Sequence, residues 1–269
     1  LIQNLYVLSS HSQLLCFTTK GKVFWLKVYE IPVASRTSKG RPLVNMLKLD
    51  DDETVTQILP VEEFSEDKFI FMATRNGVVK KTNLNLFHKK YKSGIKAIRL
   101  DDDDKLVGTV ITDGDNDILL SSYSGKLIRF HESKVRPMGR TARGVKGITL
   151  KDGMKVISLM VGDPSKTILC LSENGFGKRT KLEDFPSYNR GGQGVIALKT
   201  SERNGNMVSA VAVDENDGIM LISDKVTLIR TAISQIPTLG RNTQGVKVIT
   251  PKDGEKLIEG VRIPPEEEE

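Results

Sequence analysis

Residues 118–132 read ILLSSYSGKLIRFHE: an apolar run, a tight turn at Gly125, then a second apolar run carrying Arg129. Four other stretches share this layout: LLCFTTKGKVFWLKV (14–28), IFMATRNGVVKKTNL (70–84), ILCLSENGFGKRTKL (168–182) and IMLISDKVTLIRTAI (219–233). Their turn positions are Gly21, Gly77, Gly125, Gly175 and Val226, spaced 56, 48, 50 and 51 residues apart. A second anchor follows in each repeat at Gly40, Gly94, Gly144, Gly194 and Gly245, spaced 54, 50, 50 and 51. Two separate anchors that hold one period establish an internal repeat, and a period of this size marks stacked supersecondary units.

Within a unit, Asn76-Gly77 and Asn174-Gly175 between apolar runs predict two-residue hairpin turns with positive φ at both central positions. Val226 in place of glycine predicts an irregular turn in the fifth unit. A loop then carries Pro32, Pro137, Pro186 or Pro237 in four of five units. Proline removes a ladder donor, so this stretch is not a central strand. Residues 144–150 supply a fourth strand, closed by a turn at 151–155. One strand type occurs six times, at 1–8, 54–61, 106–112, 156–162, 207–214 and 257–263. Four short strands in about 50 residues is the size of a propeller blade. The expected fold is therefore all-β, a propeller-like array of five to six four-stranded blades. It forms one repeat domain over 1–263, with units near 1–53, 54–105, 106–155, 156–206 and 207–263, and an acidic tail starting at 264–269.

Composition excludes several classes. Hydrophobic content of 38% with 28% charged residues suits a soluble globular chain. No stretch approaches the ~20 apolar residues of a membrane span, and no signal segment opens the chain. The chain starts at Leu1 without methionine, which reads as a segment of something longer. Two cysteines fit a reducing, cytoplasmic compartment. Cys16 and Cys170 share a repeat column with Met72, Leu120 and Leu221, so both are expected in the core rather than on a metal or substrate. His11, His88 and His131 fall at unrelated places in the repeat, and no metal-ligand spacing, nucleophile elbow or phosphate-cradling loop is present. No catalytic residue and no metal site are expected. The acidic blocks at 50–53 and 101–104 share a turn with Asp152, Glu202 and Asp253, and read as solvated turn charge rather than a cation site.

The basic residues are different. Lys plus Arg number 40 against 34 acids, a net +6, and twelve of those acids sit in the two blocks and the run Glu266 to Glu269. The remainder is basic, so charge is segregated. Four residues before each second glycine stand Arg36, Lys90, Arg140, Arg190 and Arg241, basic in every unit. Four residues after each hairpin position stand Trp25, Lys81, Arg129, Arg179 and Arg230, and Lys39, Arg41, Lys92, Lys96, Arg143, Lys146 and Lys247 crowd the same loops and strand starts. Surface lysine and arginine also protect strand edges. Edge protection does not account for one sign recurring in one loop column. In a radial array these residues form a curved cationic band. Duplex DNA carries one negative charge per ~1.7 Å of axis, and such a band would bind its backbone with release of counterions. The neighbouring glycines would let the main chain approach phosphates. Aromatic content of 6% makes base stacking secondary. The alternative partner is an acidic protein docked on a propeller scaffold.

The segments NGFGKRTKLEDFP, SSYSGKLIRFHES and GRNTQGVKVI, with the ~50-residue period, resemble the C-terminal DNA-wrapping domain family of bacterial DNA gyrase A over essentially the whole chain. The resemblance implies a β-pinwheel in which neighbouring blades exchange strands, and a non-catalytic domain that wraps duplex DNA on a basic edge. It implies gyrase B and the remainder of gyrase A as partners, a bacterial, nucleoid-associated location, and no cofactor in this domain, ATP and Mg being used by the holoenzyme. The family's Gln-Arg-Arg-Gly-Gly-Lys-Gly box is missing. Its nearest match is YNRGGQG at 188–194, which places the box upstream of Leu1 or points to the corresponding domain of the related topoisomerase IV.

Overall fold

The computed structural model describes residues 11–28 and 43–265. The first hairpin is β1 (Gln13–Thr18) and β2 (Lys22–Lys27), followed by β3 (Val55–Val61). The second is β4 (Phe69–Thr74) and β5 (Val78–Asn83), followed by β6 (Ile95–Lys96) and β7 (Leu106–Thr112). The third, β8 (Asp117–Ser122) and β9 (Lys126–His131), leads to β10 (Val145–Lys146) and β11 (Val156–Val161). The fourth, β12 (Thr167–Ser172) and β13 (Phe176–Lys181), leads to β14 (Val195–Ile196) and β15 (Met207–Val213). The fifth, β16 (Gly218–Ser223) and β17 (Leu228–Ala232), is followed by β18 (Val246–Lys247) and β19 (Leu257–Ile263).

These strands form five antiparallel sheets with the orders β3-β1-β2-β6, β10-β5-β4-β7, β11-β8-β9-β14, β15-β12-β13-β18 and β17-β16-β19. The all-β repeat expectation holds. Four sheets have four strands, and the fifth has three among the described residues. No sheet coincides with one sequence repeat. Each four-stranded sheet takes its hairpin from one repeat and its two flanking strands from the next: β3 and β6 both belong to the second repeat, yet they pair with β1 and β2. Periodicity fixes the spacing of strands but not their partners.

The sheets fall into two compact units. One contains β1 to β7 and β10, the other β8, β9 and β11 to β19. In the first, β3 packs against β7; in the second, β11 packs against β15 and β15 against β19. The repeated strand type is thus the packed edge of each sheet. Residues 1–8, the sixth copy, lie outside the described residues. The first strand of each hairpin is buried on both faces, which explains why it reads as an apolar run rather than an alternating one, whereas β17 is largely exposed. Leu15, Phe17, Ile70 and Met72 pack in one core of the first unit, and Leu14, Cys16 and Phe24 form a second cluster behind it. Cys170 belongs to one core with Ile168 and Phe185 in the other unit. Burial pushes both thiols up to about 12, so they behave as small apolar side chains.

The first four hairpin turns are three residues long, and the fifth, 224–227, is four. In Thr74–Val78 only Gly77 has positive φ (92°), and its N–H closes the turn on the Thr74 carbonyl at 3.1 Å. The Thr74 hydroxyl accepts from the Val78 N–H, also at 3.1 Å. The turn therefore ends on one left-handed residue, where the Asn-Gly pair predicted two. Val226 adopts that same conformation (φ 64°). The fifth turn is therefore strained at a β-branched residue. The acidic blocks are only partly solvated charge. Asp104 is buried and accepts from the Asn76 and Lys105 N–H groups at 3.0 and 2.8 Å, and buried Glu53 accepts from Asp50 N–H at 3.2 Å.

Candidate nucleic-acid interface

The described proline-bearing loops, those of Pro137, Pro186 and Pro237, each run along the second hairpin strand of the preceding sheet, on the edge opposite the packed strand. Isolated parallel bridges tie Pro137 to Lys81, Ser187 to Arg129 and Thr238 to Arg179 before the loops end in β10, β14 and β18. The second glycines close this contact. Gly245 has φ 75°, and a Cβ there would lie 2.5 Å from the Gly177 carbonyl oxygen; at Gly144 the corresponding distance to the Val79 oxygen is 2.3 Å. These glycines serve close packing of two backbones, not approach to a phosphate. Gly139 and Gly240, directly before Arg140 and Arg241, do face open space.

The loop column lies on this outer edge. Lys90 is exposed, and Arg140, Arg190 and Arg241 are half-buried. Arg140 packs over the Tyr91 ring at 5.7 Å. Arg190 Nε donates to the Lys134 carbonyl at 3.1 Å, and Arg241 Nη1 to the Ile196 carbonyl at 3.1 Å. Among the described residues neither Arg140 nor Arg241 has a carboxylate partner. Lys92, Lys96, Lys146 and Lys247 are exposed beside them, Lys247 over the Phe176 ring at 5.4 Å. Arg143 is engaged by an acid: two bonds of 2.9 and 2.7 Å join it to Asp101, whose carboxyl it holds below the usual range. Arg36, Lys39 and Arg41 lie outside the described residues.

The hairpin column has another role. Arg129 donates to Asp117 at 2.8 Å and to the carbonyls of Leu182 and Phe185 at 3.1 and 3.0 Å. Arg179, 6% exposed, donates to the Ile236 carbonyl at 2.7 Å and pairs with Glu215. Trp25 Nε1 donates to the Phe87 carbonyl at 2.9 Å. Phe87, Phe185 and Ile236 occupy the same place at the end of a short 3-10 turn, so Trp25, Arg129 and Arg179 are N–H donors that fasten their sheets to the next repeat. Tryptophan belongs in such a column and would be alien to a phosphate-binding one. Lys81 is likewise 4% exposed, its ammonium 4.8 Å from the Phe69 ring centroid. Arg230 alone in the column is exposed. Burial removes Lys81 and Arg179 from any surface that a duplex could touch, which corrects their sequence-based placement with the loop cations.

Two kinds of residue escaped sequence reading. Arg99 and Arg136 line an open depression of about 460 Å³ with Arg143 and Gly139, but neither belongs to a cationic column. Lys80 and Lys178 are fully buried beneath the loops. Lys80 Nζ donates to the carbonyls of Ala97, Arg140 and Ala142 at 2.6, 2.6 and 3.3 Å. Lys178 Nζ donates to the carbonyls of Gly240 (2.7 Å), Arg241 and Thr243 (3.1 Å), and to Thr243 Oγ1 (2.9 Å). Burial lowers Lys80 to about 7 and Lys178 to about 8. Their signal in the sequence was the Lys80-Lys81 and Lys178-Arg179 pairing on strands whose two faces are both buried.

A family model described as "DNA gyrase C-terminal domain, beta-propeller" matches residues 12–62, 68–113, 116–163, 166–214 and 219–261. The chain belongs to the DNA gyrase C-terminal domain family. Each of the five matched segments contains one hairpin and the packed-edge strand that follows it, the phase seen in the sheets rather than that of the sequence units. Relatives include the DNA gyrase A proteins of Salmonella typhimurium, 46% identical over 96% of this chain, and of Escherichia coli, 47% identical over 96%. The chain spans 29% of the length of each. Two solved structures share the gyrase-family fold. The C-terminal domain of DNA topoisomerase IV has TM-score 0.87 and 28% identity, covering 95% of this chain and 80% of that one. The DNA gyrase A C-terminal domain has TM-score 0.80 and 25% identity, covering 96% and 84%. Among the described residues no helix is long and apolar enough to cross a membrane.

Proposed function

We propose that this chain binds duplex DNA through its sugar–phosphate backbone, bends and wraps it, and so presents a segment to an ATP-driven type II topoisomerase of the gyrase kind. Strand cleavage and ATP hydrolysis would reside in the remainder of gyrase A and in gyrase B, with ATP and Mg used there, in the bacterial cytoplasm. The observation that carries this reading is the position of the loop cations. Arg140 and Arg241 stand on the outer edge of their sheets without a carboxylate partner among the described residues, beside open glycines and exposed lysines. Their partners, an aromatic ring and a carbonyl, leave the positive charge available to a phosphate. Arg99 and Arg136 extend this contact set, whereas Lys81 and Arg179 are excluded from it. A duplex neutralised by such contacts releases counterions, so affinity depends steeply on salt.

Replacing Arg140, Arg190 and Arg241 together by alanine tests it. Affinity for a random duplex is expected to fall, and the log-affinity versus log-salt slope to flatten by about 0.9 per lost contact. An unchanged slope rejects the assignment. Ligation of nicked circular DNA with the chain bound is expected to leave a change of linking number. If random duplex does not bind at physiological salt, the acidic-partner scaffold is the better reading.

A further inference from the structure

We propose that Lys80 and Lys178 are positioning residues that set Arg140 and Arg241 for phosphate contact; this rests on the duplex-binding reading above. The two lysines occupy one place in the repeat, three residues after the hairpin glycine. Each donates to the carbonyl of the loop arginine itself and to that of the residue two further on, Ala142 or Thr243. An ammonium has three donors and no acceptor. Lys80 finds three carbonyl oxygens, and Lys178 three carbonyls and a hydroxyl. Among the described residues no carboxylate pairs with either, so the buried charge is balanced by loop dipoles alone. A buried cation is tolerated only when hydrogen-bonded. The loop must therefore keep its carbonyls turned inward, which sends the arginine side chains out along the sheet edge.

Other repeats achieve the same contact without charge. Phe24 fills the corresponding position beneath Gly94, whose added Cβ would meet its ring at 2.7 Å, and Ile128 lies 3.9 Å from that of Gly192. The loops carrying Lys90 and Arg190 thus rest on apolar side chains, and among the described loops only those of Arg140 and Arg241 rest on titratable ones. Arg140 faces Lys80, while Cys170 and Arg241 face Lys178. The Cys170 thiol is pushed up to about 12 by burial. Near neutral pH the lysines alone among these groups change charge. A phosphate on Arg140 or Arg241 removes the repulsion felt by the ammonium below, so the duplex favours the protonated latch and binding takes up protons.

Two pH trends of opposite sign follow. Both lysines have folded values below the ordinary 10.5. The unfolded chain then holds more protons between about 7 and 10.5, and global stability rises with pH across that window. Duplex affinity falls over the same range.

The test measures affinity of the full chain for a random-sequence duplex from pH 6 to 9 at fixed salt, with calorimetry in buffers of different ionisation enthalpy. The wild type is expected to lose up to tenfold in affinity per pH unit for each lysine above its folded value, with matching proton uptake. Lys80→Met and Lys178→Met should each bind more weakly at pH 6 and lose the share of the pH dependence that belongs to the replaced lysine, while remaining folded. If either variant fails to fold, proton uptake by the wild type at pH 8 still decides. Affinity that does not vary with pH, with no proton uptake, overturns the inference and leaves the duplex-binding reading intact. Absence of duplex binding at every pH overturns that reading itself.

Discussion

Arg179 and Arg241 both donate a guanidinium N–H to a backbone carbonyl, yet they do unlike work. Arg179 is 6% exposed, reaches the Ile236 carbonyl and ends on Glu215; Arg241 is half-buried, reaches the Ile196 carbonyl and meets no carboxylate among the described residues. Both stand in columns of the repeat that are mostly or wholly basic, Arg179 in the fourth unit and Arg241 in the fifth. Recurrence of a cation therefore reports a repeated need, and the need differs: donors where two repeats are fastened, free charge where an edge is open. Trp25 separates them, because an indole supplies the donor and not the charge.

The strongest way to break this comparison is Arg179→Ala. It strips the Ile236 carbonyl of its donor and should cost about 2–3 kcal/mol in urea unfolding, below the full penalty for a buried pair because Glu215 is exposed. A cost near zero would place Arg179 with the surface cations. Next, Trp25→Phe keeps an aromatic ring in place and removes the N–H to Phe87. A loss of about 1–2 kcal/mol is expected by the same measurement. Relief of the turn comes third: Val226→Gly should raise stability by about 1 kcal/mol, because this exposed β-branched residue sits at φ 64°. The smallest effect is assigned to Arg230→Ala. In the same column but exposed, it should change stability by less than about 0.5 kcal/mol. A cost equal to that of Arg179→Ala would mean column membership matters more than the acceptor.

Much of the architecture was legible because strand length, turn glycines and proline loops all recur at one period. The recurring strand type was legible as a recurrence, and its described copies prove to be the packed edges of the sheets. Pairing was not legible, since a repeat fixes intervals but leaves open whether a strand joins its own hairpin or the preceding one. The loop column was readable as an edge feature, and Arg140, Arg190 and Arg241 each lie in the loop along the edge of one sheet. The hairpin column misled because the sequence counts charges and the fold uses hydrogen-bond geometry. Arg143 was counted as free although Asp101, some forty residues earlier, holds it. Lys80 and Lys178 were hidden by neighbours: two cations side by side on a strand read as one basic site, while the pleat sends them to opposite faces.

Because β3 and β6 leave one hairpin between them and both return to flank β1 and β2, successive repeats are linked like the loops of a knitted row. Deleting one repeat would unravel the edges of its neighbour as well as its own sheet. A protease nick in an exposed loop would leave the fragments held together by ladders on either side. Folding of one hairpin is completed only when the following repeat has been synthesised, so on the ribosome each sheet must wait roughly one period for its own borders.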